Sequence, residues 1–222
     1  MQLKEFSLIN PIIESSEVLK AIETAIPSEM IEQAIGETSS QQQRQRKLPS
    51  GLVISLVIAM SLWSSASMRT VLKNLVNGLS QKWIGLAEYW QVPNSGSISE
   101  ARQRLGCAAM TRLFELVARP MASPQTTGAF IGGLRVMAVD GTVMDVPDSA
   151  ANARVFGYPG TKPGTKAAFP KARLVLLIET GTHLIVDALI CPDRIGERVR
   201  IQKLLRSVNS GMLLMWDRGL HS

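Results

Sequence analysis

The spacing of the apolar residues changes from helical to strand-like near Pro120, and this change constrains the fold more than any other feature. Residues 12–35, 49–90 and 98–118 carry apolar side chains at helical spacing, Pro27 divides the first of these segments into two predicted helices, and the second segment ends in a helix predicted at 82–90. Residues 92–97 form a predicted turn before the third segment. Residues 121–133 are rich in Gly, Pro and small side chains, which is typical of a domain boundary. The sequence therefore predicts a helical part followed by a domain of another kind.

Apolar, β-branched segments dominate the chain after this boundary. The predicted elements are strands at 135–146, 173–179, 183–190 and 212–216, a Gly/Pro-rich loop at 147–170 and a helix at 196–208. Three strands, a helix and a further strand describe the first half of an α/β sheet domain. The predicted fold class is therefore α+β or α/β, with helices first and a sheet second.

Positive charge is concentrated in one segment of the chain. Residues 1–37 contain two basic residues and seven glutamates, whereas residues 38–112 contain nine basic residues and two glutamates, a net charge of +7. A basic cluster favours an acidic partner such as nucleic acid. A solvated basic surface without a special purpose is the alternative interpretation of the same charges.

The cysteines, histidines and hydropathy exclude several classes of protein. Cys107 and Cys191 lie far apart, as expected for reduced core residues of a cytosolic protein, and only two histidines are available for a structural zinc site. The apolar run Leu52 to Trp63 is about twelve residues long, whereas a membrane-spanning helix needs roughly 20. This run predicts a buried helix in a protein without membrane association, and no signal peptide is expected.

Two aspartates stand out because each lies in or directly after an apolar strand. Asp140 lies within the strand 135–146, where a buried carboxylate needs a partner such as a divalent cation, although Asp140-Gly141 is also a common hairpin turn. Asp217 follows Met212–Trp216, at the end of a strand where ligands often bind, although a lone Asp there is often a cap or turn residue. If the fold brings both together, their oxygens suit Mg²⁺, and paired Mg²⁺ ions promote phosphoryl transfer.

A polar, basic helix is the main candidate for contacts with DNA. Ser97 and Glu100 have capping-box spacing, so a helix is predicted to begin near Ile98. Arg and Gln side chains on such a helix can reach base edges or phosphates in a major groove, but an ordinary exposed helix face accounts for them equally well. The DNA-binding candidates are Arg102, Gln103 and Arg104 on this helix, and Arg44, Arg46 and Lys47 at the end of a glutamine-rich linker.

Several short motifs, found in this order, resemble the insertion-sequence-four family of DDE transposases. The similarity covers nearly the whole chain, from Leu48-Pro49 with the following apolar helix to the segment that ends at Arg218. The motifs are 101–106 in the helical part, 139–148 and 152–157 around the first aspartate, 168–173, 179–183, 196–197, 204–206, and 211–218 around the second aspartate.

The resemblance implies a ribonuclease-H-like catalytic core with two metal ions, Mg²⁺ or Mn²⁺. Asp140 and Asp217 match the first two acidic ligands of the family and are therefore the expected catalytic residues. The implied reaction is cleavage at the terminal inverted repeats of the element, followed by attack of a 3′-hydroxyl on target DNA. The implied partner is double-stranded DNA, the full-length protein is expected to be a homodimer, and the expected location is the bacterial cytoplasm, associated with the nucleoid.

The resemblance also indicates three domains: an N-terminal helical segment at 1–37, a helical DNA-binding domain at 38–120 and a partial catalytic domain at 134–222. The family's third acidic residue, a glutamate on a later helix, has no counterpart before Ser222. We therefore expect a C-terminally truncated copy that cannot catalyse unaided. The alternatives are a non-catalytic DNA-binding fragment that regulates transposition and a decayed reading frame whose product folds poorly.

Overall fold

The structure is a computed structural model that describes residues 15–40, 47–78, 90–159 and 167–217. The chain divides into two compact units, residues 1–117 and residues 118–222. The first is helical and the second is built around a sheet, so the fold is mixed α+β. This confirms the predicted order of helices first and strands second.

Six helices lie in the described part of the first unit. They are α1 (Ser15–Ala25), α2 (Ser28–Glu37), α3 (Ser50–Leu62), α4 (Met68–Gly78), α5 (Ser95–Leu105) and α6 (Ala108–Val117). Pro27 separates α1 from α2, which confirms the predicted break. A helix predicted at 82–90 falls almost entirely outside the described residues.

The core of the first unit surrounds α3. Leu52, Val53, Ile54 and Leu56 are buried on several sides of this helix, so it needs apolar neighbours all round. Those neighbours come from the other five helices, including α1 and α2, which share this core with the later helices. The prediction of a buried helix at Leu52–Trp63 is confirmed, and within the described residues no helix is long and apolar enough to cross a membrane.

The second unit contains five strands and two short helices in its described part. They are β1 (Phe130–Ile131), β2 (Leu134–Asp145), α7 (Ala150–Phe156), β3 (Lys171–Glu179), β4 (Leu184–Pro192), α8 (Glu197–Leu204) with a 3₁₀ turn (Leu205–Ser207), and β5 (Met212–Trp216). The four predicted strands are confirmed with small shifts at their ends. The predicted helix 196–208 is shorter than expected, because its last turn is the 3₁₀ turn.

β2 is the central strand of the sheet. Its residues Met137 to Val139 pair with β3 in antiparallel fashion and with β5 in parallel, so β3 and β5 lie on opposite sides of β2. β4 continues the antiparallel part beyond β3, which gives the order β5-β2-β3-β4. One face packs Met137, Val139 and Leu177 against Leu204 of α8, and these side chains form the core of the unit.

Two elements of the second unit were not predicted from the sequence. α7 lies inside the predicted loop 147–170, where the Ser149 hydroxyl caps the helix by accepting from Asn152 N at 3.2 Å. β1 forms a hairpin with β2 through Gly132 and Gly133, whose φ angles of 57° and 81° match a two-residue turn with positive φ at both positions. Both elements are short, and local capping or turn geometry rather than periodicity defines them.

A buried carboxylate ties the start of the second unit to its sheet. Glu179, the last residue of β3, is fully buried and accepts hydrogen bonds from Met121 N at 3.0 Å and Ala122 N at 2.9 Å. It also accepts from the Thr182 hydroxyl and the Arg135 guanidinium. Burial raises the pKa of this carboxyl, but the hydrogen bonds together outweigh burial and hold the pKa below 4.5.

We predict that Glu179→Ala lowers the free energy of unfolding by about 3 kcal/mol, because it removes one partner of a buried ion pair and leaves two backbone N–H groups without their acceptor. Urea denaturation would measure the change. Asp145→Ala is the matched control, since its ion pair with Lys171 at 2.6 Å is exposed and contributes at most about 1 kcal/mol. Equal losses in the two variants would contradict the central role of Glu179.

Candidate functional site

The parallel pairing of β2 with β5 brings the two predicted aspartates to neighbouring positions. Val139 of β2 pairs with Trp216 of β5, and Asp140 and Asp217 are the next residues of their chains. Neighbouring strands lie about 4.8 Å apart, so the backbones of the two aspartates are close at the same end of the sheet. The structure therefore places together two acids that are 77 positions apart in sequence.

Asp140 is exposed, so the expectation that it is a buried carboxylate in need of a partner is wrong. Side chains alternate along β2, and Asp140 lies on the face opposite the buried Val139. Its Oδ1 accepts from Gly141 N at 2.8 Å. The alternative of a hairpin turn at Asp140-Gly141 is also wrong, because β2 runs through both residues to Asp145 and pairs with β3 along that length.

The other acids near the sheet are engaged in local ion pairs or hydrogen bonds. Asp187 is buried and accepts from the Arg206 guanidinium at 2.8 and 2.9 Å and from the Ser207 hydroxyl at 2.7 Å. Burial raises the pKa of Asp187, but the hydrogen bonds from Arg206 and Ser207 lower it by more. The net effect is a pKa below the ordinary value of an aspartate. In the ranges that the structure describes, no group of three or more His, Cys, Asp or Glu residues is arranged to hold a metal ion.

The candidate DNA-binding helix α5 begins at Ser95, three residues before the predicted start. Its cap is Asn94, whose side-chain oxygen accepts from Ser97 N at 2.8 Å, so Ser97 is capped and is not itself the cap. The predicted capping box of Ser97 with Glu100 is therefore wrong. Asn94 lies in a segment that was predicted as a turn, and an Asn before a polar helix was the signal that could have identified it.

Arg102, Gln103 and Arg104 are all exposed on α5, while Ile98, Ala101 and Leu105 anchor the helix in the core. Successive residues of a helix differ by about 100° in direction, so Arg102 and Arg104 point about 160° apart. The Arg102 guanidinium contacts Met68 Sδ of α4 at 3.4 Å. Arg102 therefore lies on the side of α5 next to α4, and Arg104 lies on the other side.

Lys47 is the described member of the predicted linker cluster. It is exposed, and its backbone carbonyl accepts from the Trp90 indole at 2.6 Å, which fixes the position of the chain just before α3. Arg44 and Arg46 lie outside the described residues. Lys47 is thus held on the surface of the first unit.

The first compact unit is similar to a known protein family. The family described as insertion element 4 transposase N-terminal matches residues 16–115. The chain is related to the insertion element 4 transposases. The matched segment runs from α1 to α6, so the transposase N-terminal family corresponds to nearly all of the first compact unit.

Transposase relatives extend the similarity beyond this unit. InsZ of Escherichia coli (strain K12), which is named as a transposase, is 25% identical to this chain over 197 residues. The aligned residues cover 89% of this chain and 62% of InsZ. The transposase InsG for insertion sequence element IS4 of the same organism is 26% identical over 194 residues, 87% of this chain and 42% of InsG. The chain therefore spans less than two thirds of each relative. No solved structure matches the chain significantly.

We predict that Asn94→Ala destabilises the first unit by about 1 kcal/mol, because it removes the acceptor for the first turn of α5. Ser97→Ala is the control that separates the two capping schemes, since the Ser97 hydroxyl has no capping role in the structure. Thermal unfolding followed by circular dichroism would measure both. A larger effect of Ser97→Ala than of Asn94→Ala would favour the original capping box.

Proposed function

We propose that this chain is part of an insertion-sequence transposase. It binds the terminal inverted repeats of its element through residues 38–120 and contributes Asp140 and Asp217 to a metal-dependent site that cleaves DNA and transfers strands. The observation that carries the proposal is the register of β2 and β5, which sets these aspartates side by side. The family relationship of residues 16–115 supplies the class of substrate.

The strand order supports a ribonuclease-H-like core for the second unit. Three antiparallel strands, β2 to β4, are followed by α8 and by β5, which returns to the free edge of β2 in parallel. The first aspartate lies on the central strand and the second directly follows the strand beside it. This is the topology that the resemblance to DDE transposases leads one to expect.

Asp140 and Asp217 fit a divalent metal because both offer carboxylate oxygens, the donors that Mg²⁺ and Mn²⁺ prefer. Such ions, when bound, activate an attacking water or hydroxyl and stabilise the leaving oxygen in phosphoryl transfer. The role of the two side chains would be to hold these cations at one end of the sheet. Because Asp140 is exposed, a DNA backbone can reach it without opening the core.

We predict that Asp140→Ala and Asp217→Ala each abolish Mg²⁺-dependent cleavage of element ends by the complete transposase, with at least a hundredfold loss on the order expected for removal of a key electrostatic group. The controls are Asp145→Ala, an exposed acid on the same strand, and gel-shift binding, which should survive in all three variants. Unchanged cleavage in Asp140→Ala would refute the assignment of the site.

The second candidate function is that of a non-catalytic DNA-binding fragment that occupies element ends and regulates transposition. The observation that favours it is that the exposed candidate DNA-binding residues belong to the first unit, whereas Asp140 and Asp217 belong to the second. Cleavage of element ends by this chain would contradict the second candidate function.

The first unit is the proposed DNA-binding part, and its candidate contacts are testable. We predict that Arg102→Ala weakens binding to element ends and lowers the slope of log affinity against log salt by about one, as expected for one lost phosphate contact. Lys20→Ala, an exposed basic residue in the acidic segment, is the control and should leave the slope unchanged. Equal effects of both substitutions would indicate that only net charge matters.

A further inference from the structure

Two exposed basic residues of the helix α4 have no part in the assignments above. Arg69 and Lys73 lie four residues apart, so their side chains project from one side of α4 and are about 6 Å apart along the helix axis. The inner side of α4 carries Val71, Leu72 and Leu75, which are buried in the core of the first unit. The two cations therefore lie on the outer surface of a helix whose position is fixed by packing.

The charges of Arg69 and Lys73 are not offset by an ion pair in the ranges that the structure describes. Arg112 of α6, by contrast, is paired with Glu37 of α2. Positions 38–87 contain no Asp or Glu, so no acid close in sequence can neutralise either cation of α4. The two charges are therefore available to an external anion.

The first turn of α4 adjoins a third cation, Arg102 of α5. The Arg102 guanidinium contacts Met68 Sδ at 3.4 Å, and Met68 directly precedes Arg69. At the other end of α4, Gly78 packs against Leu19 of α1, a helix of the acidic N-terminal segment. Arg69 is about 13 Å from Gly78 along the helix axis. Arg69 and Arg102 therefore lie at the end of α4 that is remote from the acidic helix.

The two sides of α5 differ in charge. Successive helical residues turn by about 100°, so Arg104 points about 40° away from Glu100 and about 160° away from Arg102. A glutamate and an arginine four residues later attract each other on an exposed helix, so Glu100 offsets part of the charge of Arg104. The nearest exposed or half-exposed neighbours of Arg102 on its own side of α5 are Ser99 and Gln103, which carry no charge. Net positive charge on α5 therefore lies on the side next to α4.

We propose that α4 and the adjoining side of α5 receive the phosphate backbone of duplex DNA. Arg69, Lys73 and Arg102 each neutralise one phosphate, and Arg104 lies outside this interface. Phosphates of one strand follow each other about every 3.4 Å of the duplex axis, so two cations about 6 Å apart on α4 match alternate phosphates. The identity of the partner as DNA rests on the proposed function, whereas the choice of α4 over the other side of α5 rests on the contacts and charges above. Such contacts fix the position of the protein on the duplex without reading its sequence.

The test measures binding of the whole chain to a fluorescently labelled duplex of arbitrary sequence, by anisotropy at several salt concentrations. We expect Arg69→Ala and Lys73→Ala each to reduce the slope of log affinity against log salt by about 0.9 in magnitude, and to weaken binding roughly eightfold at about 0.1 M salt. Arg69→Lys keeps the charge and should keep the slope. Alanine is favourable at exposed helix positions, so these variants should fold, and circular dichroism checks that they do.

Arg104→Ala is the matched control, because it removes the same charge from the side of α5 that carries Glu100, and it should leave the slope unchanged. An equal change in Arg104→Ala, or unchanged slopes in Arg69→Ala and Lys73→Ala, would overturn the assignment of the surface and leave the proposed function intact. No duplex binding by the unsubstituted chain would overturn both. Binding to vesicles of anionic phospholipid as tight as binding to the duplex would overturn duplex DNA as the partner of this surface.

Discussion

The parallel pairing of β5 with β2 is the contact on which the candidate site depends. Parallel neighbours need a crossover, and here α8 and the 3₁₀ turn carry the chain from the end of β4 back to the free edge of β2. The bonds of Arg206 and Ser207 to the buried Asp187 fix that turn on β4. A shift of one residue in this register would move Asp217 to the other face and separate it from Asp140.

The buried Glu179, at the end of β3, fixes the start of β2 through its ion pair with Arg135. Its partner Arg135 lies in β2 five residues before Asp140, and Arg135 also donates to Ala122 O at 3.1 Å. The segment before the sheet, the start of β2 and the end of β3 therefore share one set of polar contacts. A buried ion pair is no guarantee of stability, because desolvation opposes it, but it is specific in geometry and so sets which residues of β2 face the core.

Periodicity in the sequence predicted the long helices and strands. It did not predict a helix that depends on one capping residue, and it did not predict which face of a strand is exposed. The helices around Pro27, the buried α3 and the four main strands follow from apolar spacing alone. α7 depends on the Ser149 cap and on a left-handed Gly157, neither of which produces a periodic signal. The burial of Asp140 was misjudged because an apolar strand can be covered on one face only, and the coverage depends on α8, which is distant in sequence.

The exposure of Asp140 changes how the site relates to folding. A buried carboxylate would need a cation or a partner for the domain to be stable, and metal binding would then be coupled to folding. An exposed carboxylate at the end of a sheet keeps its hydration and imposes no such requirement. Such an acid is also accessible to a substrate as large as a DNA duplex, which cannot enter a closed cavity. The exposure of Asp140 therefore agrees with the proposed site for a macromolecular substrate.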